Sequence, residues 1–242
     1  MHKNYWRYTL AILFMTGTTM TACAKDKQPP AEAGQTTAPK TAPVQVPAAA
    51  AQKATTSASA PNKKAKLGEM APDFTLPQVG GSPVKLSRFL GKTVVLEWFN
   101  PDCPFVKLAH RDGPLPKNAA AHIQDGAVWL AINSGGPGKQ GHGVARNTAA
   151  KAEYKLTWPI LLDETGQVGK AYGATRTPHM YVINAEGILV YRGALDSTRG
   201  GGYDRGDYTN YLANALSSVK AKKPIAEAET KAWGCSVKYD ER

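Results

Sequence analysis

The chain is poor in cysteine: its 242 residues hold three, at positions 23, 103 and 235, and none stands in a Cys-x-x-Cys pair. Without such pairs there is neither a zinc framework of neighbouring thiolates nor a dithiol within one short motif. Histidine is no richer, with five and no His-x-x-x-His pair, so Cys103 and His110 together give two ligands at most. Two ligands make a poor metal site, and the sequence predicts neither a metal nor another cofactor. The glycine-rich stretch GGPGKQGHG at 135–143 lacks the Gly-Lys-Ser/Thr ending of a phosphate-binding loop and reads as a flexible loop near the functional site. Acidic residues are also scarce, 19 against 30 basic ones, for a net charge of +11. That excess sits mostly in residues 1–66, and the rest has no basic stripe interleaved with aromatics, so no nucleic-acid partner is expected.

The N-terminus carries Lys3 and Arg7, then the apolar run TLAILFM, then small residues ending in MTAC. The run is too short to span a bilayer comfortably, and the order of regions is that of a secretory signal over residues 1–22. Met-Thr-Ala-Cys resembles a lipobox, with Met20 where leucine is usual, which makes Cys23 the expected site of lipidation. Ordinary cleavage and release, or an uncleaved anchor, are the other outcomes of the same pattern. Residues 23–66, rich in Ala, Pro, Thr and Lys, hold almost no large apolar side chain and predict a disordered tether whose charge suits an anionic membrane surface. The expected location is the cell envelope, facing the periplasm, with a lipid anchor in a bacterial membrane.

Residues 67–242 predict one α/β domain. Short extended pieces are expected near Phe74–Leu76 and Val84–Leu86, and buried strands at TVVLEWF (93–99), AVWLAIN (127–133) and PILLD (159–163). The segments MYVIN and ILVYRG flank Ala185-Glu186-Gly187 as a hairpin. Helices are expected from Cys103 to Gln124, split around Gly113-Pro114, then over 144–156, 167–172 and 207–220.

Cys103 stands between an apolar strand and a helix, in FNPDCPFVKLAH. Unpaired N–H groups at a helix start favour a thiolate, Pro104 is pre-set for the first helical position, and the charge of Asp102 works in the opposite direction. A redox thiol and a buried inert cysteine are the two readings, and export from the cytoplasm favours the first. Cys235 is its available partner once Cys23 is lipidated. It is either a resolving cysteine on a mobile tail, half of a structural bridge, or an unpaired thiol. Arg176, beside Thr177-Pro178, could stabilise a thiolate or a peroxide through its guanidinium, or simply be solvated. Pro178 opens a strand, where no ladder donor is needed. Glu97, inside the apolar strand, is either a buried carboxylate able to shuttle a proton or a partly exposed strand residue.

In order, APDFTLP, VVLEWFNPDCPFVK, WLAINS, WPILLDETGQVGKAYGATRTPHMYVINAEGILVYRG, ALD and GCSVKY resemble the peroxiredoxin-like, or redoxin, branch of the thioredoxin superfamily over about residues 67–239. The resemblance implies a thioredoxin-like fold, a central mixed β-sheet flanked by helices, with Cys103 as the reactive cysteine. It places Pro178 at the cis-proline, Thr177 where backbone pairs with a substrate peptide, Glu97 at a buried-carboxylate position and Arg176 near an arginine of peroxiredoxins. It also gives the tail a counterpart and favours Cys235 as the partner of Cys103. Two departures stand out. Val106 replaces the second cysteine of a Cys-x-x-Cys motif, and Asn100 replaces the threonine that holds peroxide in peroxiredoxins. The implied activity is thiol oxidoreduction on a hydroperoxide or a protein disulfide with an external thiol reductant. The rival is a non-enzymatic thioredoxin-fold module that binds a partner or delivers metal.

Overall fold

TVVLEWF forms the middle of the molecule because every second residue serves a different apolar layer. In the computed structural model, which describes residues 59–240 except 112, 202, 204 and 205, all five residues of the strand Val94–Trp98 are buried. Val94, Leu96 and Trp98 pack with Phe74, Tyr172 and Tyr181 on one face, while Val95 packs with Trp129, Met180 and Tyr191 on the other. A strand buried on both faces needs this continuous apolar run, and each large side chain so buried contributes about 1.5–3 kcal/mol.

In chain order the elements are β1 (Thr75–Leu76), β2 (Val84–Lys85), a 3-10 turn (Leu86–Phe89), β3 (Val94–Trp98), α1 (Pro104–Arg111), α2 (Leu115–Gln124), β4 (Val128–Asn133) and α3 (Val144–Glu153). They continue with β5 (Ile160–Leu162), α4 (Gln167–Tyr172), β6 (Arg176–Thr177), β7 (His179–Ile183), β8 (Leu189–Gly193), α5 (Tyr211–Lys220) and β9 (Cys235–Ser236). The five-stranded sheet runs β5-β4-β3-β7-β8, with β3, β4 and β5 parallel and β7 and β8 antiparallel. Helices α1, α2, α3 and α5 supply one core, and α4 with the β1–β2 hairpin supplies the other. This is the thioredoxin-like fold, a central mixed sheet flanked by helices.

The break between α1 and α2 falls at Gly113-Pro114, and Pro116 lies in the first turn of α2, where its missing N–H is not required. Helix α5 is shorter than expected, starting at Tyr211 because the Asn210 side chain accepts from Ala213 N–H and caps it. The folded unit also begins earlier than expected. Ser59 exchanges backbone hydrogen bonds with Thr75 at 3.0 and 3.1 Å, and Ala65 N–H donates to the Ala171 carbonyl at 2.9 Å, so residues 59–66 belong to it. The expected signal peptide, Cys23 and the tether through residue 58 lie outside the described residues. Among the described residues no helix is long and apolar enough to cross a membrane.

His179 opens β7 beside Pro178 and is buried, its Nδ1 accepting from Thr175 N–H (3.4 Å) and lying 3.2 Å from the Tyr181 hydroxyl. Burial, with Arg192 nearby, pushes its pKa down from 6.5 to about 4. The unfolded chain therefore binds a proton between these values that the folded chain refuses, so stability rises with pH across the window and is lost as pH falls through it. Guanidinium titrations at pH 7 and 4.5 should show the wild type losing about 2 kcal/mol more on acidification than His179→Gln. Equal losses would contradict this placement of the imidazole.

Candidate active site

Cys103 is fixed by what surrounds the turn before it. Its N–H donates to the Asn100 carbonyl (3.1 Å) and its carbonyl accepts from Lys107 N–H (3.0 Å), so it caps α1, with Pro104 as the first helical residue. Asn100 is buried and both ends of its amide are used, Oδ1 accepting from Asp102 N–H (2.9 Å) and Nδ2 donating to the Gln140 carbonyl (3.1 Å). The Pro101 carbonyl accepts from the Tyr154 hydroxyl (2.7 Å) and from Arg146 (3.2 Å). Asp102 pairs with Arg146 at 2.7 Å, so the carboxylate expected to oppose a thiolate at Cys103 is already occupied by a guanidinium. Hydrogen bonding to Asp102 also raises the Arg146 pKa. The 135–143 loop, expected to be flexible, is tied down: Gly141 accepts from Asn133 (2.8 Å) and Asn147 (3.0 Å), and Gln140 braces Asn100.

Cys103 has no exposed surface, and its Sγ donates to the Thr177 carbonyl at 3.1 Å. The Thr177–Pro178 bond is cis. Val106, in the fourth position of the motif, is fully buried and packs in the core.

The tail of the chain completes the site. Residues 228–230 run along the outer edge of β8, with Arg192 N–H donating to the Ala228 carbonyl (3.0 Å) and Thr230 N–H to the Arg192 carbonyl (3.2 Å). Trp233 is then buried against Phe105 of α1, its Nε1 donating to the Asp196 carbonyl at 2.7 Å. Cys235 and Ser236 form β9, antiparallel to β6, with Cys235 opposite Thr177 and Ser236 opposite Arg176. Beyond it, Val237 N–H donates to the Thr175 carbonyl (3.3 Å), the Lys238 carbonyl accepts from Gly136 N–H (2.8 Å), and the Tyr239 hydroxyl donates to the Ala174 carbonyl (2.7 Å). The tail expected to be mobile is a docked strand, held by backbone pairing together with the Trp233 and Tyr239 side chains.

This strand brings the second sulfur to the first. Cys235 is half-buried and sits opposite Thr177, the residue whose carbonyl accepts from Cys103 Sγ, so the two thiols are neighbours. Burial first, then the neighbouring Cys103 sulfur, push the Cys235 pKa from 9.0 up to about 11, against Lys238 and the Phe105 N–H. Cys235 is thus a protonated thiol at neutral pH. Thr177 is buried, and its Oγ1 has no hydrogen-bond partner in the described structure.

Two other expected residues stand apart from the sulfurs. Arg176 is exposed and lines a cleft with Arg199 and Lys231, and no hydrogen bond or ion pair joins it to Cys103 among the described residues. Glu97 is fully buried, which settles its exposure, but its oxygens are taken by His110 Nε2 (2.7 Å) and Trp129 Nε1 (3.0 Å). His110, weighed above as a metal partner of Cys103, points instead into the core between Phe99 and Tyr154, and its buried Nδ1 has no partner among the described residues. Sequence reasoning missed Gln140, Arg146 and Tyr154, which brace the turn across 38 to 53 residues of sequence. No local signal marks such partners.

The profile of the Redoxin family matches residues 66–212. The chain is 29% identical over 123 residues to the thiol-disulfide oxidoreductase ResA of Bacillus subtilis, covering 51% of this chain and 64% of that protein. It is 28% identical over 139 residues to the chloroplastic peroxiredoxin Q of Triticum aestivum, covering 53% of this chain and 58% of that protein. The chain thus spans less than two thirds of the length of these curated relatives. Among solved structures, a hypothetical protein from Sinorhizobium meliloti superimposes with a TM-score of 0.64 at 29% identity, over 76% of this chain and 100% of the other. An uncharacterised conserved protein from Geobacillus kaustophilus gives 0.63 at 27% identity, over 77% and 98%. The strand-to-helix cysteine, the facing Thr177-Pro178 and the family match agree: the chain belongs to the Redoxin family, within the thioredoxin superfamily.

Proposed function

We propose that the protein is a thiol oxidoreductase in which Cys103 attacks the oxidant and Cys235 resolves the product. The observation that carries this reading is the pairing of β9 with β6, which sets Cys235 opposite Thr177, the residue whose carbonyl accepts from Cys103 Sγ, with no Cys-x-x-Cys motif. With a hydroperoxide, the Cys103 thiolate attacks one peroxide oxygen, an S–O bond forms, the O–O bond breaks and the departing alkoxide takes a proton from water. The Cys235 thiol then condenses with the sulfenic acid, forming the S–S bond and releasing water. Two equivalents of an external thiol reduce this disulfide and are oxidised to their own disulfide. With a disulfide as oxidant, the Cys103 thiolate breaks the substrate S–S bond, expelling one substrate thiolate as the mixed disulfide forms, and Cys235 then attacks Cys103 Sγ and expels the other.

Reaction without Cys235, the one-cysteine cycle, ends at the sulfenic acid or mixed disulfide until an outside thiol arrives. The N-terminal sequence supports an extracytoplasmic, lipid-anchored protein with its reductant on the same side of the membrane. Both the names of the relatives and the adjoining sulfurs favour the enzyme over a binding or metal-delivery module.

One equivalent of hydrogen peroxide should convert wild-type protein to an intramolecular Cys103–Cys235 disulfide, read by peptide mass mapping. Cys235→Ser should accumulate a dimedone-reactive Cys103, and Cys103→Ser should lose peroxide consumption by at least about 10²-fold. Peroxide consumption by Cys103→Ser at the wild-type rate would end the proposal. Iodoacetamide labelling of Cys235 in reduced protein should rise with pH to a midpoint near 11, set by burial and its neighbour. In Cys103→Ser that midpoint should fall, because the second cause of the shift is gone. A wild-type midpoint at or below 9.0, the ordinary thiol value, would contradict the buried pair.

A further inference from the structure

The edge of β6 is where an extended segment joins the molecule, and the chain's own tail already lies on it. Arg176 and Thr177 pair antiparallel with Ser236 and Cys235, so Cys235 stands opposite the residue whose carbonyl accepts from Cys103 Sγ. An incoming peptide disulfide adding to that edge would need the same backbone groups and would put its sulfur where Cys235 has its own.

The tail holds this place by several contacts on both sides of the cysteine. Before it, Trp233 is buried against Phe105 and tied to the Asp196 carbonyl; after it, Val237, Lys238 and Tyr239 bond to residues 174, 175 and 136. The close approach also depends on Gly234, whose φ is +113° and whose Cα faces the Thr177 carbonyl so closely that a Cβ there would overlap it. A segment meant only to carry a thiol to Cys103 on demand would not need anchors on both sides.

We propose that residues 233–239 act as a tethered substitute substrate, filling the strand-accepting edge of β6 so that the site takes small oxidants and excludes protein disulfides. The inference rests on the proposed Cys103–Cys235 cycle and names its substrate class. Cys103 is wholly covered in the docked state, so a hydroperoxide or low-molecular-weight disulfide reaches it through small local opening, whereas a folded protein's disulfide needs the whole strand displaced.

The test compares full-length wild type, Cys235→Ser and Gly234→Val for reduction of insulin and of hydroxyethyl disulfide, with dithiothreitol as reductant. Cys235→Ser keeps the strand and removes the thiol; Gly234→Val keeps the thiol and displaces the strand. Relative to each protein's own rate with hydroxyethyl disulfide, wild type and Cys235→Ser should both reduce insulin at least about tenfold more slowly than Gly234→Val. On that measure, insulin reduction by wild type as fast as by Gly234→Val would overturn the proposal. If Gly234→Val does not fold, by circular dichroism, a chain ending at Ala232 takes its place. To that chain the peptide of residues 233–240 carrying Cys235→Ser is added. The peptide should then bind and suppress insulin reduction, and a peptide that does neither overturns the proposal. Failure of the underlying cycle is read separately, as absence of the peroxide-induced Cys103–Cys235 disulfide in wild type.

Discussion

Two residues of backbone pairing, Thr177 with Cys235 and Arg176 with Ser236, decide where the second sulfur stands. The same Thr177 offers its carbonyl to Cys103, so one short strand, β6, aligns both thiols. Everything near the site follows from keeping β6 and the Cys103 turn in register. The sheet supplies β7 directly after Pro178, the 135–143 loop and α3 brace Asn100-Pro101-Asp102, and the tail is held at both ends so that β9 cannot slide. A dithiol motif achieves proximity through two residues of one helix turn. Here Val106 packs in the core and the partner arrives from the far end of the chain.

Buried polar groups in this fold are mostly spent on position. Asn100, Asn133, Asn147 and Asp163 all lie near the active-site end of the sheet, and their side chains tie loops to loops. Asp163 accepts from Ser134 (2.6 Å) and Gly169 N–H (2.8 Å), which anchors the start of α4 beneath Tyr239. Gly166, at φ +69°, leaves the room that the Tyr239 ring fills. An unmet buried group costs about 1–3 kcal/mol, so such networks persist only when nearly every member is satisfied. Among the described residues His110 Nδ1, Trp158 Nε1 and Thr177 Oγ1 are the exceptions.

Most of the fold was legible in the sequence because its signals are local. The apolar runs at 93–99 and 127–133, the Gly113-Pro114 break and the Ala185–Gly187 turn each mark an element where the structure has one. Cys103, Thr177 and Pro178 were legible through the family resemblance. What escaped is held by backbone or by long-range pairing. Residues 59–66 attach through N–H and C=O groups with no apolar pattern to announce them, and β9 is two residues long, too short for any periodicity. The Glu97–His110 contact joins a strand to a helix across 13 residues, and spacing from Cys103 along α1 says nothing about a partner on β3. Arg176 was read by position next to proline, yet Arg146 is the guanidinium that reaches the cysteine turn.

The tail is docked beside Cys103 before any oxidant arrives. Amide hydrogen exchange on the reduced protein tests it most directly, at Val237 N–H, which donates to Thr175, and at Gly136 N–H, which donates to Lys238. Both amides should exchange at least about 10²-fold more slowly than in an unstructured peptide. Exchange at the unstructured rate at both, with Val95 in β3 still protected, would contradict the docking.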